Sequence, residues 1–351
     1  MTELNGKIIY DSIFEACRHF APYTILLTLD DDEFRPFRSA NVYQLMKMSD
    51  CSAVALSNPM VSTLYRGEND VYNHCEASIF RNNKIGVSYD NIAIAIDEIR
   101  CVEFEKILTT FPKVQAALAS GIKIDFMALA QHYELNTRMI DVSSEPEIAA
   151  YFATHRWNKG TMEPIYDGIG CIRGYSTFCY INDILMKRPS KLHLFGMQCF
   201  MRPGMQHAYG FETEQGEDLA NSGWKVYFKQ TKRASDNIHA NFHFNEKTGL
   251  IENKSWLFPD EEVAEVAAIV KKSTKLSAEA VKEYCDMHKM TFELIVSEMA
   301  GRGVLVSNEP AYILSEAKKI ELAKQYEGAP YGSAQLYSGL TCKPKRNSDL
   351  Q

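Results

Sequence analysis

Ala130-Gln131-His132-Tyr133-Glu134-Leu135-Asn136-Thr137-Arg138-Met139-Ile140-Asp141 sets charged and hydrogen-bonding side chains between apolar ones. Upstream, Phe126, Leu129 and Ala130 recur at helical spacing, which predicts a helix over Asp125–Tyr133 with His132 near its end. Arg138 and Asp141 then follow in a predicted loop, interleaved with Met139, Ile140 and Val142. Such a pattern implies a polar network that is buried or half-buried. Its members must be paired, because an unpaired buried charge costs several kcal/mol. Two readings stand side by side. In one, Arg138 clamps Asp141 and His132 bonds a main-chain carbonyl. In the other, His132, Thr137 and Arg138 line a pocket.

On the downstream side, Ser144-Glu145-Pro146-Glu147 has the form of a capping box with proline in the first turn, leading into a helix that carries Ile148, Ala149, Tyr151, Phe152 and Ala153. On the upstream side, Ser62–Arg66 is β-prone and closes at Gly67. Leu64-Tyr65-Arg66-Gly67-Glu68 therefore puts a guanidinium at a strand end beside a glycine that permits close backbone approach. A guanidinium there suits bidentate capture of phosphate or carboxylate, or an internal ion pair with Asp141 or Glu68. A third cluster runs from Phe200 to Phe211, where Pro203-Gly204 marks a loop edge and Arg202 and Gln206 supply polar groups. The Gln206 amide both donates and accepts, so it can read a ligand's edge or tie two loops together.

The remaining periodicity predicts helices over Asp11–Phe20, Ala40–Met48, Asn91–Phe111, Asp260–Lys271, Ala278–His288, Thr291–Ala300 and Ala311–Gln325. Strands are predicted over Tyr23–Leu29, Gly168–Tyr175 and Trp224–Lys229, the first ended by the acidic run Asp30–Glu33. The fold expected is α+β: a central mixed or antiparallel sheet flanked by helices, with a helical C-terminal appendage. The domain plan is an N-terminal extension (1–50), a core domain (51–272), a C-terminal helical region (273–327) and a tail of disordered composition (328–351).

Composition narrows the function classes. The chain has 351 residues, 46% of them hydrophobic, which suffices for a sizeable core. Acidic residues outnumber basic ones 45 to 38, against a broad nucleic-acid surface, which needs a basic footprint. No apolar run approaches the ~20 residues that span a bilayer, and Met1–Phe20 lacks a signal peptide's apolar core. Nine cysteines without CxxC spacing read as reduced, mostly buried thiols of a cytoplasmic protein. His239 and His243 share a helical face, but no third ligand is near and Ile238 and Phe242 make that face ordinary core, so no metal site is expected. The C-terminal region is studded with Glu279, Glu283, Asp286, Glu293 and Glu298, which suits a cap or protein-partner surface rather than a DNA reader.

Taken in order, the three clusters resemble the FRG domain family, whose central signature is similar to Gln-His-x-Gly-x-x-Thr-Arg-Leu-Leu-Asp-x-Thr followed by Ala-x-Tyr-Phe-Ala. Gln131, His132, Thr137, Arg138, Asp141, Tyr151, Phe152 and Ala153 match it. Glu134 stands where glycine is usual, Met139 and Ile140 replace two leucines, and Ser143 stands where threonine is common. Arg202, Gln206, Gly210 and Phe211 resemble a later element of the family, and Leu257-Phe258-Pro259-Asp260 a further one. The resemblance implies a bacterial protein of the kind associated with conflict and phage-defence systems, without a common activity to carry over.

A second likeness concerns mechanism. Arginine-type ADP-ribosyltransferases place an aromatic-Arg-Gly at the end of an early strand. By that likeness Arg66 would hold the pyrophosphate of NAD, Ser143 or Ser144 would support the nicotinamide ribose, and Gln206 or Glu212 would act late. The Ser-Thr-Ser element of those enzymes is absent. The competing reading is a non-catalytic module for a nucleotide or other small anionic ligand; the third is a scaffold whose polar clusters rigidify loops. The candidate catalytic residues are Arg66, His132 and Gln206. The candidate ligand-binding residues are Tyr65, Glu68, Thr137, Arg138, Asp141 and Arg202.

Overall fold

A computed structural model describes residues 2–4, 7–20, 42–47, 53–56, 61–158, 160–177, 180, 190–245, 248–325 and 335–337. Its centre is an eight-stranded sheet in the order Thr2–Leu4, Lys7–Tyr10, Trp224–Lys229, Ile169–Ser176, Thr63–Glu68, Met139–Ser143, Ala208–Glu212, Leu192–Leu194. Lys7–Tyr10 runs parallel to Trp224–Lys229 and every other neighbouring pair is antiparallel, so the sheet is mixed. With its flanking helices it makes the α+β architecture that the sequence predicts.

On one face, helices Ile13–Phe20, Pro146–Thr154 and Lys232–His243 bury a core around Tyr151, Ile172 and Phe228. On the other, Leu64, Ile79, Phe80, Tyr209 and Phe211 pack together. Helix Asn91–Leu108 is the shared beam. Phe104, Ile107 and Leu108 join the core that Val263 and Val266 of Glu262–Lys272 enter, while Ile96 and Ile99 pack on Val281 and Tyr284 of Ala278–His288. The C-terminal helices are thus docked on this beam through an apolar seam. Among the described residues no helix is long and apolar enough to cross a membrane.

Several expected elements change on folding. Met139–Ser143 is a strand, not a loop; Ile140 and Val142 enter the core around Leu64 and Phe211, Met139 packs with Ala128, Phe195 and Ala208 on the other side, and the strand pairs with Ala208–Glu212. Val42–Lys47, inside the helix expected over Ala40–Met48, is a strand paired with Ala53–Leu56. Val42 and Tyr43 favour a pleated surface, and hairpin pairing overrides the helix preference of Leu45, Met46 and Lys47. The capping box does not form: Glu145 is the N-cap, without a side-chain cap bond, and the Ser144 hydroxyl donates to the Glu145 carboxylate instead. The last helix begins at Glu316 rather than Ala311. Tyr23–Leu29 and Asp30–Glu33 lie outside the described residues, as does the tail from 328 apart from Gln335–Tyr337, a strand beside Val42–Lys47.

Candidate functional site

The site lies where two neighbouring strands part. Thr63–Glu68 and Met139–Ser143 are bridged at Tyr65 and Ser143 alone. Beyond that bridge the ladder stops, and the Arg66 side chain takes over, donating from Nη1 to the Asp141 carbonyl at 2.9 Å. The parting strands open a cavity of about 650 Å³. Tyr65, Arg66, Glu68, His132, Asp141, Arg202 and Gln206 all line it. Three segments far apart in the chain therefore converge on one hollow.

The glycine after Arg66 serves packing. A Cβ on Gly67 would stand 1.8 Å from the Ala149 carbonyl oxygen, so only glycine lets helix Pro146–Thr154 lie this close to the strand. On the opposite face of the strand, Arg66 Nε lies 3.6 Å from Glu68 Oε1. Glu68 is itself gripped by Arg173, whose Nε donates to Oε2 at 2.8 Å. Arg173 is 1% exposed and its two other nitrogens donate to the Ala220 and Tyr72 carbonyls. Glu68 thus neutralises two arginines that sit directly opposite each other on paired strands.

The Asp125 carboxylate accepts from Ala128 N–H and starts helix Phe126–His132. That helix delivers Gln131 and His132 to the hollow, and the chain leaves it through Glu134 at φ 72°. The family's glycine position is therefore a left-handed turn, held here by a residue with a Cβ. Gln131, a match to the signature but not among the candidate site residues, connects the network: Thr137 Oγ1 donates to its Oε1 at 2.5 Å, and its Nε2 donates to Asp141 Oδ2 at 2.9 Å.

His132 contacts Gln206 through Nδ1, 3.1 Å from Oε1, and Gln206 Nε2 donates to the Leu257 carbonyl at 3.1 Å. Burial holds the His132 pKa below the usual histidine value, and Asp141 offsets this only in part. The ring is therefore neutral near pH 7. Arg202 donates from Nη1 to the His132 carbonyl at 2.6 Å, with its guanidinium 4.5 Å from the Tyr133 ring centre and 5.4 Å from that of Phe258. It props the histidine turn from behind while facing the hollow.

Four buried atoms on these lining residues have no hydrogen-bond partner: Arg66 Nε, His132 Nε2, Asp141 Oδ1 and Arg202 Nε. Buried polar groups are normally paired, so this concentration around one cavity marks binding capacity. Arg81 and Lys271 add exposed cations to the lining, and Tyr72, Phe152, Trp157 and Phe258 supply aromatic surface. Arg81 ends the run Cys75-Glu76-Ala77-Ser78-Ile79-Phe80-Arg81, whose polar ends are the sequence signal that could have flagged it.

Other predicted residues lie elsewhere. Arg138 pairs with Glu98 and with Glu214 at 3.3 Å, not with Asp141, and it does not line the cavity. Its position just before the strand points it to helix Asn91–Leu108. Thr137 is 1% exposed and acts through Gln131. Ser143 lines the cavity but donates its hydroxyl to the Gln206 carbonyl at 2.8 Å, while Glu212 is 3.1 Å from His193 Nε2 and outside the lining. His239 and His243 stack at 3.8 Å between ring centres, and His239 Nδ1 lies 3.2 Å from Nε2 of the cavity-lining His155. Among the described residues no group of three or more His, Cys, Asp or Glu is arranged to hold a metal ion.

No curated protein and no solved structure matches the chain. Residues 61–161 match the model of the FRG domain; the chain carries an FRG domain, and the matched span holds Arg66, His132 and Asp141 but ends before Arg202 and Gln206.

Proposed function

We propose that the cavity binds a nucleotide. The observation that carries this reading is the convergence of Arg66, His132 and Gln206 on one open hollow of about 650 Å³, within the range that holds a ligand of that size. Arg66 keeps part of its guanidinium turned to the hollow and, with Arg81, offers charge-assisted donors to phosphate oxygens. Phe152, Trp157 and Phe258 offer faces for a planar base. NAD falls within this class. If it is turned over, Asp141 is the lining carboxylate with an unpaired oxygen, since Glu68 is held by Arg66 and Arg173 and Glu212 is committed to His193 outside the cavity.

The test is titration calorimetry with ADP, GDP, UDP and NAD, with inorganic phosphate as the charge-only control. The expected result is saturable one-to-one binding of at least one nucleotide, weakened about tenfold or more by Arg66→Ala and partly restored by Arg66→Lys. No saturable heat from any of the four at millimolar concentration, with a folded protein, contradicts the reading.

A further inference from the structure

Two hydrogen-bond chains run inward to the floor of the cavity, and each has a fixed direction. The first starts at the Leu257 carbonyl, which can only accept. Gln206 must therefore present Nε2 to it, leaving Oε1 toward His132. His132 then donates from Nδ1, and its single proton is spent. Nε2 is left as a bare lone pair. The second chain starts at Met139 N–H, which donates to Thr137 Oγ1 at 3.0 Å. Thr137 donates onward to Gln131 Oε1, and Gln131 Nε2 donates to Asp141 Oδ2. Asp141 Oδ1 is left as a second bare acceptor.

The two ends face each other. His132 Nε2 and Asp141 Oδ1 are 3.8 Å apart, both are buried, and neither has a hydrogen bond. Neither can supply a proton to the other. An anion is repelled here, and an apolar group leaves both acceptors unpaired, which is costly. What fits is a pair of donors side by side. Two adjacent hydroxyls, each about 2.8 Å from its acceptor, span such a gap. The phosphate-binding candidate is next door, because Arg66 bonds the carbonyl of the same Asp141.

We infer that His132 Nε2 and Asp141 Oδ1 accept hydrogen bonds from the two hydroxyls of a cis-diol, so that the cavity selects a ribose-bearing ligand over a deoxyribose-bearing one. This rests on the nucleotide reading above and adds the sugar to it. The lowered pKa of His132 keeps its lone pair available through neutral pH.

Titration of ADP against 2′-deoxy-ADP and 3′-deoxy-ADP tests the inference, with the corresponding guanosine or uridine series if that base binds better. Each deoxy analogue is expected to bind at least tenfold more weakly than its parent. Asp141→Asn is expected to shrink that ratio, while Arg66→Ala weakens parent and analogues alike. Ribose 5-phosphate separates the two sources of such a diol. When the deoxy analogues lose affinity as expected, ribose 5-phosphate binding within a few-fold of the nucleotide assigns the diol to a sugar phosphate, and much weaker binding assigns it to a nucleotide. Equal affinity for parent and both analogues, with Arg66→Ala still disrupting binding, overturns the diol and leaves the nucleotide reading intact. No binding by any member of the series overturns both.

Discussion

Arg66 donates to the main-chain carbonyl of Asp141 across the point where their strands separate. The bond closes a gap in the ladder without filling the cavity behind it. Arg66 is therefore dispensable for folding in a way that its neighbour Arg173 is not. Truncating Arg66 to alanine removes one hydrogen bond and a 3.6 Å ion pair, and Glu68 keeps Arg173. The expected loss is about 1 kcal/mol. Truncating Arg173 leaves the buried Glu68 with only the 3.6 Å contact to Arg66 and the Ala220 and Tyr72 carbonyls without their donor, and costs about 3–5 kcal/mol. Denaturant melts of the two variants check the contrast; equal losses would show that Arg66 is a structural ion-pair member.

Gly67 answers to the same strand from its other face. Alanine there drives a Cβ into the Ala149 carbonyl, so the helix must move off the sheet. Gly67→Ala is expected to destabilise on the order of 3 kcal/mol and to disturb the cavity. A thermal melt within 1–2 °C of the parent, with ligand binding unchanged, would contradict this.

Glu134 occupies a left-handed turn at φ 72°, with Lys271 Nζ donating to its carbonyl. Glycine meets no Cβ penalty there. Glu134→Gly is expected to stabilise by up to about 1 kcal/mol, whereas Glu134→Ala keeps the penalty and gains nothing. Paired melting curves decide; a loss with glycine would show that the side chain earns its place.

These positions mark what was legible in the sequence. The Arg66 strand could be read from its β-prone residues, but its end could not: the strand runs on through Gly67 to Glu68, and the glycine serves helix packing rather than a turn. The helix bearing His132 could be read because Phe126, Leu129 and Ala130 keep one period. Met139–Ser143 escaped, since five residues next to a polar run carry too little periodicity to separate strand from loop. Arg138 was misassigned for a related reason. Proximity in sequence suggested Asp141, yet its partner Glu98 comes from a helix 40 residues earlier. The Glu68–Arg173 pair bridges 105 residues and the Gln206–His132 contact 74, and no local pattern announces either.

Two histidine groups give opposite pH dependence. Burial lowers His155 to a pKa of about 3 and His243 to about 4. The unfolded chain therefore takes up protons first, so stability is full above about pH 6.5 and declines as pH falls toward 4. His193 behaves the other way. Its burial is outweighed by Asp125 at 2.8 Å and Glu212 at 3.1 Å, which raise it to about 9. Its contribution is full below pH 6.5 and is lost as pH rises through 9. The stability gap between the parent and His193→Gln is expected to be about 1–3 kcal/mol at pH 6 and to shrink by pH 9.5. A gap that grows with pH would refute the assignment.

The most direct measurement is a crystal structure grown with saturating ADP. The account predicts density in the hollow between the Arg66 and Asp141 strands, with a phosphate oxygen within hydrogen-bond distance of the Arg66 guanidinium and the ribose hydroxyls on His132 and Asp141. Nucleotide bound on any other face, or a hollow closed by side chains that turn inward to satisfy one another, would contradict it.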